Sequence, residues 1–251
     1  MSGTKRLRTI DTIRGITILS MIGFHACWDL YSFGFIQAET LFGTKGYIWQ
    51  QSICWSFILI SGYCFSMGHH HLKRGLMSLA GGVLITAFTC LFMYEDRDIF
   101  GVLWMLGTST LLMILLDKIL PKKKMGAVIG LLISASLFIL TRNINSGYLG
   151  FEGWNMVSLP PFLYKGYLMT FLGFMDPGFF STDYFSLFPW FFLFTVGYFL
   201  NKIFKDTAFE ERALTHGIRP LEIIGRHSFI IYMAHQPVVY GLIYLIYVLR
   251  K

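Results

Sequence analysis

A chain of 251 residues with 55% hydrophobic and only 14% charged residues is too apolar for an ordinary soluble protein, in which about a quarter of residues are charged. The formal net charge of +7 comes from short basic stretches between apolar segments, which is membrane-protein patterning and not a nucleic-acid surface. Cys27, Cys54, Cys64 and Cys90 all fall inside apolar segments at no metal-ligand spacing, which makes them expected core residues.

A membrane-spanning helix needs about 20 apolar residues. Seven segments meet or approach that length: 10–31, 48–67, 75–93, 99–117, 125–141, 185–204 and 227–249. The fold expected is therefore all-α, a polytopic membrane helix bundle of about seven transmembrane helices in a single domain over residues 1–251. The first segment has charges in its first turns and no small-residue cleavage site, so it is expected to remain as a helix. Basic residues cluster in alternate loops. Lys5, Arg6 and Arg8 precede the first segment, Lys73 and Arg74 the third, and Lys118 and Lys122 to Lys124 the fifth; Lys202, Lys205, Arg212, Arg219 and Arg226 precede the seventh. The positive-inside rule then places the N-terminus in the cytoplasm and the C-terminus outside, with Arg250 and Lys251 at an end where they count for less.

The first segment, IDTIRGITILSMIGFHACWDLY, holds Asp11, Arg14, His25 and Asp29. An ionisable group inside a bilayer costs a few kcal/mol at least, which makes each a functional hypothesis. From Arg14 to His25 is eleven residues, about 1100° of helical rotation, so the two share a face some 16 Å apart. Asp29 follows His25 by four residues on the same flank. Such a carboxylate can fix the imidazole tautomer and raise the basicity of the other ring nitrogen, for proton transfer or acyl transfer. A guanidinium at position 14 suits a phosphate-bearing ligand; the structural alternative is a bridge to Asp11.

Further along, Gly126 and Gly130 in GxxxG spacing, Ser61-Gly62 and Gly81-Gly82 read as close helix packing. His69, His70 and His71 read as a solvated loop. The stretch 142–184, rich in Tyr, Phe, Trp and Gly, reads as a re-entrant or interfacial segment outside, with Phe162 to Phe174 too short to span and a turn at Asp176-Pro177-Gly178. Asp183 and Tyr184 open the sixth segment, where Asp183 could cap the helix or hold an acceptor. In the seventh, His235 lies about 13 Å in from Arg226, near the depth of His25, and Pro237 bends the helix beside it. Arg226 joins Arg6, Arg8 and Lys122 to Lys124 around the cytoplasmic mouth.

Asp-x-x-Arg-Gly at 11–15 with histidine eleven residues after the arginine, ILISGY at 58–63, DYFSLFPW at 183–190 and GRHSFIIYMAHQP at 225–237 resemble, in order and spacing, the catalytic domain of heparan-α-glucosaminide N-acetyltransferases, within the wider acyltransferase-three-like group. The likeness runs from Arg8 to about Leu249. This chain has Trp104, in GVLWMLG, where relatives of the heparan enzyme often have histidine, and no histidine in the loop 32–47. The resemblance implies acyl transfer, with acetyl-CoA as cytoplasmic donor, a glycan amine or hydroxyl outside as acceptor, and no metal. It implies His25, Asp29 and His235 as catalytic residues, Arg14 and Arg226 on the donor, and Asp183 and Tyr184 on the acceptor. Its partners are then the lipid bilayer, acyl-CoA and the glycan acceptor, with no nucleic acid; a homo-oligomer is compatible, and the bacterial relatives imply the bacterial cytoplasmic membrane. Intramembrane His, Asp and Arg also mark proton-coupled transporters, although no internal repeat is present, and a non-catalytic scaffold would use the same groups only for packing.

Overall fold

Each of the seven apolar segments forms a helix. The computed structural model describes residues 7–121 and 123–250; Lys5, Arg6, Lys122 and Lys251 lie outside the described residues. In chain order the helices are α1 (Arg8–Ser32), α2 (Glu39–Phe42), α3 (Thr44–Phe65), α4 (His71–Phe92), α5 (Val102–Leu116), α6 (Lys124–Thr141), α7 (Gly166–Leu172), α8 (Trp190–Phe204), α9 (Ala208–Ala213), α10 (Arg219–Arg226) and α11 (Ser228–Arg250). The exception to the all-helical expectation is one antiparallel hairpin between α6 and α7, β1 (Tyr148–Phe151) and β2 (Trp154–Ser158), with a register shift at Leu149/Gly150.

Among the described residues three helices, α4, α6 with its short extension to Ser146, and α11, are both long and apolar enough to cross a membrane. They mark the chain as a membrane protein. α5 and α8 are apolar but only 15 residues each, roughly 22 Å against a hydrocarbon core of about 30 Å. α1 and α3, with 25 and 22 residues, have the length but carry more polar groups. α8 starts five residues later than its apolar run. Pro189 keeps Phe188 out of the helical region, and Leu187 and Phe188 donate instead to the carbonyls of Phe171 and Leu172, at 2.8 and 3.0 Å.

The chain divides into two compact units, residues up to 60 with 204 onward, and residues 61–203. In the first, α1 packs on α10 and α11. Ile18, Met21 and Ile53 form its core, with Phe24, Trp49, Phe57, Ile224 and Tyr232 against them. Trp49 Nε1 donates to Ser20 Oγ at 2.8 Å, which satisfies the one polar atom the indole brings. The approach of α10 to α1 is set by two glycines. A Cβ on Gly225 would lie 2.0 Å from the Asp11 carbonyl oxygen, and one on Gly15 would lie 2.1 Å from that of Leu221. Pro220 sits at the start of α10, where its missing N–H costs nothing. The strand of chain before α10 is tied to the start of α1: Thr9 N–H donates to Leu214 O at 3.1 Å, and Ile218 N–H to Thr12 Oγ1 at 3.0 Å.

In the second unit α4 and α5 form a tight helical pair. Gly82 admits the Trp104 ring, whose Nε1 donates to Thr86 Oγ1 at 3.0 Å. Gly62 of α3 lies against the Phe194 backbone of α8, and Gly130 of α6 against the Phe199 ring, so Ser61-Gly62 and the GxxxG spacing serve close packing as expected. His69 and His70 are exposed, but His71 stacks on Phe65 with centroids 4.2 Å apart, a correction to its reading as solvated loop. The 142–184 stretch contains no spanning helix: it is the hairpin, a 3-10 turn at Pro161–Leu163, the seven-residue α7, and the expected turn, in which Gly178 N–H donates to Asp176 Oδ1 at 2.8 Å.

Candidate functional site

The first unit brings three of the residues singled out from sequence together. The rings of His25 on α1 and His235 on α11 meet edge to face, with centroids 4.9 Å apart. His235 is 8% exposed and Asp29 3%, both buried in this helix pair. His235 Nδ1 lies 2.6 Å from the Tyr232 carbonyl oxygen. A carbonyl can only accept, so Nδ1 carries the proton and Nε2 presents its lone pair. Pro237 has no N–H, which leaves the Met233 carbonyl without its usual helical partner.

Asp29 does not take its hydrogen bond from His25. Its Oδ1 accepts from Gln236 Nε2 at 3.0 Å, while the His25 ring is turned toward His235. Gln236 was not singled out from sequence; its place directly after His235 was the available signal. Three buried atoms here have no hydrogen-bond partner among the described residues: Asp29 Oδ2, His235 Nε2 and Gln236 Oε1. All three are acceptors. Burying an unpaired polar atom costs about 1–3 kcal/mol, more when charged, so a group that donated to any of these atoms would relieve that cost.

Nearer the N-terminal end of α1 is an ionic cluster. Asp11 faces Arg14 at 3.4 Å and Arg226 at 3.7 Å. Glu222, 2% exposed, lies between Arg8 at 2.8 Å and Arg226 at 3.1 Å. The hydrogen bond from Arg8, then the charges of Arg8 and Arg226, hold the Glu222 carboxyl below the usual range against the opposing effect of its burial. The structure thus realises the Asp11–Arg14 bridge, brings Arg226 to the same carboxylate, and adds Glu222. Among the described residues the three guanidiniums exceed the two carboxylates by one charge. Reading only the basic residues between the sixth and seventh segments concealed Glu222; the Pro220–Glu222 start of an amphipathic turn was its signal.

Asp183 and Tyr184 lie in the second unit. α8 begins seven residues after Asp183, so Asp183 does not cap it; its carboxylate accepts the backbone N–H of Val102, at the start of α5. Its neighbour is Asp98, whose Oδ1 is buried without a partner and whose carboxylate packs against Gly101. Burial first, then the charge of Asp183, pushes the Asp98 carboxyl well above its ordinary range. The two segments are stitched by Thr182 N–H to Arg97 O at 3.1 Å, Phe185 N–H to Phe100 O at 2.9 Å and Ile99 N–H to Ser181 Oγ at 2.9 Å. Tyr184 Oη donates to Thr170 O at 2.5 Å. A carboxyl raised on folding contributes its stability in acid and loses it as pH rises through the raised value. The thermal midpoint should therefore fall as pH rises from the ordinary carboxylate range to the raised value in the wild type, and fall less over that range in Asp98→Asn; equal slopes in both would remove Asp98 as the cause. Among the described residues no group of three His, Cys, Asp or Glu side chains could hold a metal ion.

A membrane protein in which helices α1 and α11 enclose two apposed imidazoles and a buried carboxylate, below a cluster of arginines, has the groups that acid–base or acyl-transfer chemistry needs. Residues 6–237 match the family model of the heparan-alpha-glucosaminide N-acetyltransferase catalytic domain, and the chain belongs to that family. No curated protein and no solved structure matches it.

Proposed function

We propose that this protein moves an acetyl group from cytoplasmic acetyl-CoA to a sugar amine or hydroxyl on the other side of the membrane. The observation that supports this most is the trio of buried, unpaired acceptors, Asp29 Oδ2, His235 Nε2 and Gln236 Oε1. An attacking amine or hydroxyl brings the N–H or O–H that they lack. The imidazole pair takes the proton from the acceptor as its nitrogen or oxygen bonds to the thioester carbonyl carbon. The carbon–sulfur bond then breaks, and the CoA thiolate leaves and takes up that proton. Asp29 supports the imidazolium formed in passing. Arg14 and Arg226, with their one excess positive charge shared with Arg8, attract the donor's phosphates at the cytoplasmic end and keep the nucleotide out of the helix pair.

The test is reconstitution of purified protein in vesicles with acetyl-CoA radiolabelled in the acetyl group and glucosamine or a neutral hexose as acceptor. Labelled N-acetyl- or O-acetyl-sugar is expected, and Arg14→Ala should weaken acetyl-CoA binding by about 1.5–3 kcal/mol, the size of a lost charge-assisted contact. Proton flux driven by a solute gradient, with neither acetyl-CoA binding nor label transfer, would make the protein a transporter.

A further inference from the structure

The hairpin and the turns after it expose more apolar surface than contact with water accounts for. Every residue of β2 is exposed, including Trp154 (68%), Met156 and Val157; beyond it Phe162 (71%) and Leu168 (72%) are exposed too. Yet β1 and β2 form a sheet of two strands only: the Asn143 backbone pairs the outer edge of β1 at Tyr148 N–H and Gly150 O, while no described strand pairs the outer N–H and C=O groups of β2. Those groups bar the hairpin from the hydrocarbon core, where nothing would satisfy them. The aromatic and Met side chains disfavour water. One environment meets both demands: the headgroup layer, wet enough for backbone and apolar enough for amphipathic rings.

Position and charge agree with this. α6 is 18 residues, roughly 27 Å, close to the thickness of the hydrocarbon core, so its last turn comes to the membrane boundary. Ile139 and Leu140 are exposed on that turn, and β1 packs directly on α6. The polar run Arg142–Asn143 and Asn145–Ser146 separates α6 from the hairpin along the chain, but β1 folds back onto α6, so the exposed apolar residues of the hairpin begin beside that last turn. Between 148 and 172 the only charged residues are Glu152 and Lys165. Glu152 is neutralised by Arg142 at 2.9 Å, whose guanidinium also lies 4.9 Å over the Trp190 ring.

We infer that residues 148–168 form a lipid-binding surface that rests in the headgroup layer at the C-terminal end of α6, with Trp154, Met156, Phe162 and Leu168 reaching the first methylenes of the acyl chains. The inference does not depend on acyl transfer.

The experiment uses the full chain in phosphatidylcholine vesicles whose acyl chains carry bromine at a shallow or a deep position. The fluorescence difference between wild type and Trp154→Phe isolates Trp154 from the other tryptophans. Trp154 should emit to the blue of a water-exposed indole and lose its fluorescence to brominated lipid, more to shallow than to deep bromine. Red emission, quenched by aqueous iodide and untouched by brominated lipid, would overturn the inference. So would a Met156→Cys protein that forms disulfide-linked dimers in the vesicles, which would assign this face to a second copy. Trp154 is exposed, and the substitution keeps an aromatic ring, so the variant is expected to fold.

Discussion

Replacing His25 by alanine should abolish acetyl transfer while leaving acetyl-CoA binding and folding nearly intact. General acid–base assistance is worth about 10²–10⁴ in rate, so the loss is easily measured with labelled donor. His235→Ala should give a loss of the same order, because the two rings face each other at 4.9 Å and the lone pair on His235 Nε2 has no partner among the described residues. Asp29→Asn keeps the shape and the contact with Gln236, but lacks the negative charge that supports an imidazolium; it too should slow transfer strongly. The double variant lacking both histidines should be no worse than the poorer single one, since groups acting as one unit do not add. Full activity in His25→Ala would leave the imidazole pair as a packing contact. Loss in His235→Ala alone would move the chemistry onto α11.

The pairing of residues 25 and 235 was legible only as depth. Counting residues from Arg14 and from Arg226 put both histidines at similar distances into the membrane, but a count cannot say which helices are neighbours. The packing of α11 on α1 does that, and it brings in Gln236, which sequence reasoning passed over because an amide has no distinctive spacing. The same limit explains the carboxylate of Asp29. Spacing of four residues made His25 its natural partner on one helix, yet an inter-helix donor at 3.0 Å occupies its Oδ1 instead. Apolar length gave a helix in each of the seven segments, close to the observed bounds except at the start of α8, because an apolar run long enough to form a helix shows in composition; among the described residues three of these helices are long and apolar enough to cross a membrane. It did not give α10 or the hairpin. α10 is short and charged, and its stability lies in contacts with α1 more than 200 residues away along the chain, such as Arg8 Nε to Glu222 Oε1. The hairpin's strands have no alternating pattern, since β2 is exposed throughout and has no buried side to record. Asp98 was hidden for a related reason: beside Arg97 it reads as loop polarity, and only the fold brings it to Asp183.

A second large effect should follow from adding a single methyl group between α1 and α10. Gly225→Ala would place its Cβ about 2.0 Å from the Asp11 carbonyl oxygen, and Gly15→Ala about 2.1 Å from that of Leu221. These neighbours are backbone atoms inside two helices, so no rotamer change relieves the clash and the helices must separate. Overpacking a tight contact costs about 1–3 kcal/mol, and more where backbone must move. Separation also parts Arg226 from Asp11, now at 3.7 Å, and Glu222 from Arg8, now at 2.8 Å. Glu222 would then be left without its cations or forced into solvent, which adds the penalty of breaking a buried ion pair. Both variants are expected to lower the thermal midpoint of the purified protein and to weaken acetyl-CoA binding together, because the arginines on the two helices lose their common carboxylate. Glycine to alanine at Gly34 or Gly241, where a Cβ meets nothing within 4 Å, is the control for the methyl group itself; Gly34 has a φ of +76°, so Gly241→Ala is the cleaner of the two. If Gly225→Ala and Gly241→Ala proved equally stable, α10 would not be held against α1 in the way the structure shows. If Gly225→Ala lowered stability but bound acetyl-CoA as tightly as wild type, the arginine cluster would be a structural clamp, and the donor's phosphates would have to be held elsewhere.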